Sequence, residues 1–426
     1  MADFVPELTA LSQILLERKG YRETLFKVTM EEKLSQVGKK RFIENVNGVL
    51  RHYFCLSFEC QNLLLDKVDS LEHLLALVAL YVLRYRKEST VKEVYQEYHD
   101  AFLKLRLMGD PKSSFESLSK SDKEDFVLPE ELKKSPYLYN SLILEFPEFL
   151  LRRVAKDFTN QRAISVAANS HKRPNRFYAM VEKKDTPVLP ETVLQPIVME
   201  NHEYLYKTNK PIPKEQMKQS NLYPIGYVEA LAYSKLSLPP LQPKILLVGA
   251  EDGFDILPIA QRVEKYYQSQ LVCCLEKDLP YRSGVDILRH FQLKKTRMIH
   301  TKDELIKTFV EYDYFDTVIL YSKDLHMGLS RLDPSILPSL KEKDIQKSYE
   351  NQLKNLLEQS KFVKEGGSLL FVNHGFVKKE TYDVIEGFLA VKKDFILMDN
   401  EIVFFDRMDS SAGYYALLKR KEKKHD

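Results

Sequence analysis

The residues best suited to chemistry lie just past apolar runs. EGGSLLFVNHG (365–375) is a double-glycine turn feeding an apolar stretch that ends at Asn373, His374 and Gly375. An imidazole at the carboxyl end of a buried strand faces the crevice where open α/β sheets bind ligands, and could serve there as a general base. A hydrogen-bonded structural histidine gives the same pattern, and no second catalytic member is evident beside it. YSKDLHMG (321–328) follows another apolar run and brings Asp324 and His326 to the same rim, with an ordinary polar loop as the alternative. LLVGAEDGF (246–254) is an apolar run entering a glycine-containing turn, the setting in which a nucleotide-like ligand approaches the backbone. Gly249 and Gly253 are spaced as the outer glycines of such a loop, and a plain strand-to-helix turn reads identically. Glu276, after QLVCCL, stands near the place of an acid that holds ribose hydroxyls; an exposed strand-end glutamate is the bland reading. SHKRPNRF (170–177) sets Lys172, Arg173 and Arg176 around a proline and before Phe177 and Tyr178, a mixture suited to phosphate contacts and base stacking, or to a solvated basic loop. Arg152, Arg153 and Arg162 lie nearby in sequence and favour the first.

The elements that must position these residues fall into three stretches. Residues 1–132 have apolar side chains at three- and four-residue steps and read as a helical domain, with LEHLLALVALYVLRY (71–85) as its central helix. KSSFESLSKSDKEDF (112–126) is polar and serine-rich and is expected to be an exposed loop. Residues 133–225, interrupted by prolines, predict a small α+β unit that includes the strand FYAMV (177–181). Residues 226–426 alternate strand-like and helical runs, which predicts a parallel, doubly wound sheet. Its strands are KILLVGA (244–250), QLVCCLE (270–276), FDTVILYS (315–322) and SLLFVNH (368–374). FILMDNEIVFF (395–405) and GYYALLKR (413–420) close the sheet as an antiparallel edge pair, and the charged ending KRKEKKHD is expected to fray.

Composition narrows the function classes. The 426 residues are 44% hydrophobic and 29% charged, an ordinary globular balance. With 64 basic and 61 acidic side chains the net charge is +3, so any nucleic-acid site has to be local. No run of about 18 apolar residues suggests a membrane span. Four cysteines, Cys55, Cys60, Cys273 and Cys274, fit a reducing compartment better than a disulfide framework, and a cytoplasmic location is expected. No metal-ligand spacing is present, and a monomer is favoured.

These pieces occur in an order that resembles the bacterial Sun/Fmu family of small-subunit rRNA cytosine-5 methyltransferases, over nearly the whole chain. GKKRFIENVNGVLRHYFCL (38–56) and LLALVALYVLRYR (74–86) are similar to helices of that family's NusB-like RNA-binding domain. Arg173 and Pro174 match the R-P-P strand of its small RNA-contacting subdomain. FDTVILYSKDLHMGLSRLDPSI (315–336) is in register with F-D-R-I-L-L-D-A-P-C-S-x-x-G-x-x-R-R-x-P-D-I at Phe315, Asp316, Gly328, Arg331, Pro334 and Ile336. GGSLLFVNHGFVKKE (366–380) resembles G-G-x-L-V-Y-x-T-C-S-x-x-P-E-E. The resemblance implies a multi-domain α and α/β protein: an all-helical NusB-like domain, a small α+β subdomain and a Rossmann-like class I methyltransferase domain. It implies S-adenosylmethionine as cofactor, ribosomal RNA as partner, and RNA contacts at Lys172, Arg173, Arg176 and Arg331.

The same register shows losses. The family attacks C6 of cytosine with a thiolate, and His374 stands at that cysteine's place while Asp324 replaces the second cysteine. Tyr321 replaces the D-A-P aspartate, and Asp255 the loop lysine. Such a chain is expected to be an RNA-binding pseudo-enzyme. The alternative is an active S-adenosylmethionine-dependent enzyme acting on another atom, held open by Gly249, Gly253 and Glu276.

Overall fold

Leu71–Tyr85 forms the helix that the apolar run requires, with Leu74 to Leu80 buried without interruption. Ser70 caps it by accepting from the His73 amide at 3.0 Å. The computed structural model describes residues 3–64, 70–120, 128–181, 194–199 and 202–422. One compact unit comprises Met1–Lys172 with Ser330–Glu342, and the other Arg173–Leu329 with Lys343–Asp426. In the first, Gln36–Arg51, Tyr53–Leu64 and Val91–Lys104 pack on Leu71–Tyr85, and Thr90 with Glu93 forms a capping box at the start of Val91–Lys104.

Part of the stretch expected to be a loop is a helix, Pro111–Ser119. Asp110 accepts from the amides of Lys112 and Ser113, and Pro111 supplies a preset first turn. Phe115 and Leu118 then bury against the bundle, with the Phe115 ring 5.2 Å from Tyr95. Two apolar side chains at helical spacing outweigh the polar composition; residues 121–127 of that stretch lie outside the described residues. Pro136–Ile143, Glu148–Asp157 and Asn160–Asn169 continue the same unit.

The second unit contains two sheets. β1 (Arg176–Met180), β2 (Gln195–Met199), β3 (His202–Thr208) and β4 (Leu222–Pro224) form an antiparallel sheet in the order β2-β3-β1-β4. β5 (Lys244–Val248), β6 (Gln270–Leu275), β7 (Thr296–His300), β8 (Phe315–Tyr321), β9 (Val363–Asn373), β10 (Phe395–Val403) and β11 (Gly413–Arg420) form a seven-stranded sheet, β10-β11-β9-β8-β5-β6-β7. β9, β8, β5, β6 and β7 are parallel; β11 runs antiparallel to β9 and β10. This is a Rossmann-like sheet, and the protein is a multi-domain α and α/β structure. Strands are added in one direction from β5 through β6 to β7 and in the other from β8 to β9, so a crevice is expected at the carboxyl ends of β5 and β8, where the order reverses.

Three local expectations change. β7 has one buried residue, Ile299, because it is an edge strand, and so lacks the apolar run of its neighbours. The double glycine is a bulge inside β9: pairing with β8 jumps from Phe315↔Val363 to Thr317↔Ser368, and Gly366 adopts φ 72°. The charged ending is partly ordered, for Arg420 lies in β11, pairs with Asp394 at 2.9 Å and with Asp313, and donates to the Val363 carbonyl; residues 423–426 lie outside the described residues.

Gly328 closes the rim of the large sheet. Its amide donates to the His374 carbonyl at 2.7 Å, and a Cβ there would lie 2.0 Å from the Ala412 carbonyl oxygen. Backbone cannot swing away as a side chain can, so Gly328→Ala is expected to destabilise the protein by about 1–3 kcal/mol. Denaturant unfolding followed by circular dichroism measures this.

Candidate functional site

The loop after β5 has the conformation of a ligand-binding turn, but its hydrogen bonds are already used. Gly249 adopts φ 77°, and a Cβ would sit 2.6 Å from the Tyr321 carbonyl oxygen. A Cβ on Gly253 would lie 2.5 Å from the Gly284 amide nitrogen of helix Asp278–His290. Both glycines are therefore required by backbone-to-backbone packing. The amides of Glu251 and Asp252, which could cradle a ligand's anionic group, donate instead to one oxygen of Asp255 at 3.2 and 2.9 Å. Burial pushes the Asp255 carboxyl well above the usual range, helped by the negative field of Glu229. Beneath the loop, the Tyr321 hydroxyl meets that of Tyr233 at 2.6 Å, and Tyr233 donates to the Asp255 carbonyl at 2.9 Å.

Glu276 does stand at the end of β6, with a cation upon it. Lys323 pairs with Glu276 and, at 3.1 Å, with Asp303. The Lys323 hydrogen bond holds the Glu276 carboxyl below its ordinary value, while burial raises Asp303 despite the same ammonium. Beside Lys323 opens a cleft of about 370 Å³ bordered by Asp303, Lys307, Tyr312, Asn355 and Phe362.

At the ends of β8 and β9 the structure joins residues that the sequence leaves separate. The Asp324 side chain is fully buried; one oxygen accepts from the His374 amide, and the other from the His326 amide at 2.9 Å, with the His326 Nδ1 at 2.8 Å. His326 sits at φ 53°, a left-handed conformation stabilised by this short turn. Its Nε2 lies 3.2 Å from Glu251, and the His374 Nε2 lies 3.2 Å from Glu229, on helix Tyr227–Ser234. The two imidazoles stand 6.1 Å apart, centroid to centroid. Glu380, buried behind them, accepts from the Leu325 amide, Ser348 and Gln352. The arrangement can hold and move protons. It offers no soft nucleophile, because Cys273 and Cys274 are buried within β6, and Cys55 and Cys60 lie in Tyr53–Leu64. Among the described residues no group of three or more His, Cys, Asp or Glu side chains is arranged to hold a metal, and no helix is long and apolar enough to cross a membrane.

The basic cluster divides. Lys172, Arg173 and Arg176 are exposed, but Phe177 and Tyr178 are buried in the cores under β1 and offer no stacking surface. Arg331 is also displaced from its expected RNA contact: it is 2% exposed, and its Nε donates to the Asn169 carbonyl at 2.7 Å inside the helical unit. Arg152 pairs with Glu148 and Arg153 with Asp157. Lys323, Glu229 and Glu380 enter the site with no expectation from the sequence, whereas Asp255 stands where the resemblance puts the loop lysine. Of the first three, only Lys323 carries a local signal, a cation one residue before Asp324's turn.

Proton affinities at the rim differ in sign: those of Asp324 and Glu276 are lowered, and those that titrate near neutral pH are raised. Burial pulls the His326 imidazole down, but the Asp324 and Glu251 carboxylates outweigh it and push it from 6.5 up to about 9. Burial, then the Asp324 charge, pushes Glu380 from 4.5 up to about 8, and burial pushes Glu7 in the helical unit up to about 7. The native state thus binds more protons than the unfolded state, and stability falls as pH rises. The His326 contribution is full below about pH 6.5 and is lost as pH climbs through about 9; the buried acids weaken the fold from about pH 4.5 upward. Urea midpoints are expected to fall between pH 6 and 9.5, and His326→Gln to flatten the alkaline part; a midpoint that rises over this range contradicts the assignment.

No protein-family model and no curated protein sequence matches the chain. Solved structures do. PH0851 is similar with a TM-score of 0.74 at 15% identity, over 98% of this chain and 97% of that one. A methyltransferase homolog protein from Pyrococcus horikoshii gives 0.53 at 15% identity, over 67% of this chain and 99% of its own. NSun6 from Pyrococcus horikoshii, determined with SFG, gives 0.53 at 11% identity, over 66% of this chain and 100% of its own. At these identities the likeness is one of fold: helices together with a Rossmann-like sheet.

Proposed function

We propose that this chain is an RNA-binding protein built on the architecture of the rRNA cytosine-5 methyltransferases, and that it is a pseudo-enzyme. Residues 1–132 form its NusB-like RNA-binding part, 133–225 a small RNA-contacting part, and 226–426 a methyltransferase-type domain kept for structure. Its target is ribosomal RNA, and it works in the cytoplasm as a monomer. The likeness to a methyltransferase homolog and to NSun6 supports the methyltransferase side of this reading.

One observation carries the loss of activity: the groups at the sheet's carboxyl rim are bonded to one another. Asp255 occupies the amides of its own loop, Lys323 occupies Glu276, and Asp324 binds His374 and His326. A cofactor would have to displace these contacts, of which those of the fully buried Asp324 are charge-assisted and worth about 1.5–3 kcal/mol each. A thiolate adduct also needs a cysteine at the rim, and the four cysteines lie elsewhere.

A second reading, methyl transfer to an atom that needs only positioning and a base, is favoured by the shifted His326 and Glu380 beside His374. Calorimetric titration with S-adenosylmethionine separates the two. The pseudo-enzyme gives no binding heat at millimolar cofactor; a micromolar Kd overturns it in favour of the second reading. For RNA, reversing charge at Arg173 and Arg176 is expected to weaken binding and to reduce the slope of log K against log salt by about 0.7 per lost phosphate contact on a single strand. An unchanged slope removes those arginines from the site.

A further inference from the structure

The helical unit has a partly exposed stack of rings for which the reading above gives no role. The His52 and Tyr85 rings are parallel, 4.4 Å between centroids at 18°, and Tyr81 lies 5.2 Å from Tyr85 and 6.3 Å from His52. Tyr85 is 41% exposed, the His52 side chain is 37% exposed, and Tyr81 is half-buried. Apolar aromatic area of this kind is normally buried in a bundle, because each ring gains by leaving water. Here the fold holds it at the surface. A Cβ on Gly48 would lie 1.9 Å from the Tyr81 Cζ, so the missing side chain is what lets Tyr81 lie flat across helix Gln36–Arg51. Glu145 braces the other side: one oxygen accepts from the Phe54 and Cys55 amides at 3.0 and 3.1 Å, and the other lies 3.7 Å from the His52 Nδ1.

Cations border the rings. His171 is fixed to the same corner, its Nε2 2.6 Å from the Glu145 carbonyl and its own carbonyl accepting from Arg51 at 3.3 Å. The next residue, Lys172, is exposed, with its amide tied to the Asn169 carbonyl at 3.2 Å. Nearby acids are offset, since Arg86 pairs with Glu44 and Glu88 at 3.8 and 2.9 Å. Flat π-surface next to a lysine and an arginine matches one chemistry: an unpaired nucleobase stacking on the rings, with its phosphates against the cations.

We propose that His52, Tyr81 and Tyr85 form a stacking platform for an unpaired base of single-stranded RNA, with Lys172 and Arg51 contacting the adjoining phosphates. The proposal rests on the RNA-binding reading and supplies the base contact that the buried Phe177 and Tyr178 cannot make.

The full-length protein is titrated into an unstructured RNA oligonucleotide carrying 2-aminopurine, with fluorescence and salt dependence recorded. Stacking quenches the probe. Tyr85→Ala is expected to weaken binding about fivefold or more and to restore fluorescence, with the salt slope unchanged because no phosphate contact is lost. Tyr85→Phe keeps the π-face and is expected to bind as the parent does. Gly48→Ala, which pushes Tyr81 off the platform, is expected to reduce quenching, and Lys172→Glu to lower the slope. Wild-type binding with quenching that survives both Tyr85→Ala and Gly48→Ala overturns the platform alone. A wild-type protein that binds neither this oligonucleotide nor structured ribosomal RNA overturns the RNA-binding reading and the platform with it.

Discussion

A carboxylate sealed from water has to be satisfied by its own protein, and Asp324 organises the rim of the large sheet on that condition. Its two oxygens reach two chain segments, the turn that it begins and the end of β9. The turn sets His326 in a left-handed conformation, brings Gly328 against Ala412, and holds the His374 backbone where its imidazole meets Glu229. The fully buried position also explains the proton affinities nearby: Asp324 stays ionised because two histidines face it, and its charge in turn raises His326 and Glu380. One buried charge thus couples backbone geometry to acid–base behaviour across several strand ends.

The same logic recurs at the reversal point between β5 and β8. In a binding loop, unpaired amides are an asset because a ligand completes them. Here Asp255 completes them from within, and the tyrosine pair below fixes its backbone. Lys323 does for Glu276 what Asp255 does for the amides, with opposite charge. A crevice at strand ends can keep its strand order and glycines while its polar groups turn to one another, so topology alone does not say what the crevice holds.

Much of the fold was legible because it is written in short-range pattern. β5, β6, β8 and β9 are apolar runs, and the closing β10–β11 pair follows from alternating chemistry near the end of the chain. β7 escaped because an edge strand buries too little to leave a run, and Pro111–Ser119 escaped because two buried residues were outnumbered by polar ones. Glu276 and His374 directly follow β6 and β9, and Asp324 lies three residues past β8, positions that can be read locally because strand ends can. Their partners were not legible: Glu229 precedes the whole seven-stranded sheet, and Glu380 lies between β9 and β10. Nothing in sequence announces a contact that only three-dimensional closure creates. Arg331 and the pair Phe177 and Tyr178 show the converse, residue types suited to RNA that folding takes inside.

The cysteines carry a last consequence. Burial pushes the thiols of Cys55 and Cys274 up to about 12 and raises Cys273 as well, while Cys60 is enclosed in the bundle. Thiolate, the nucleophile that attacks peroxide and maleimide, is then scarce at neutral pH. The native thiols should oxidise slowly, and a cysteine introduced at the surface would be modified against a nearly silent background.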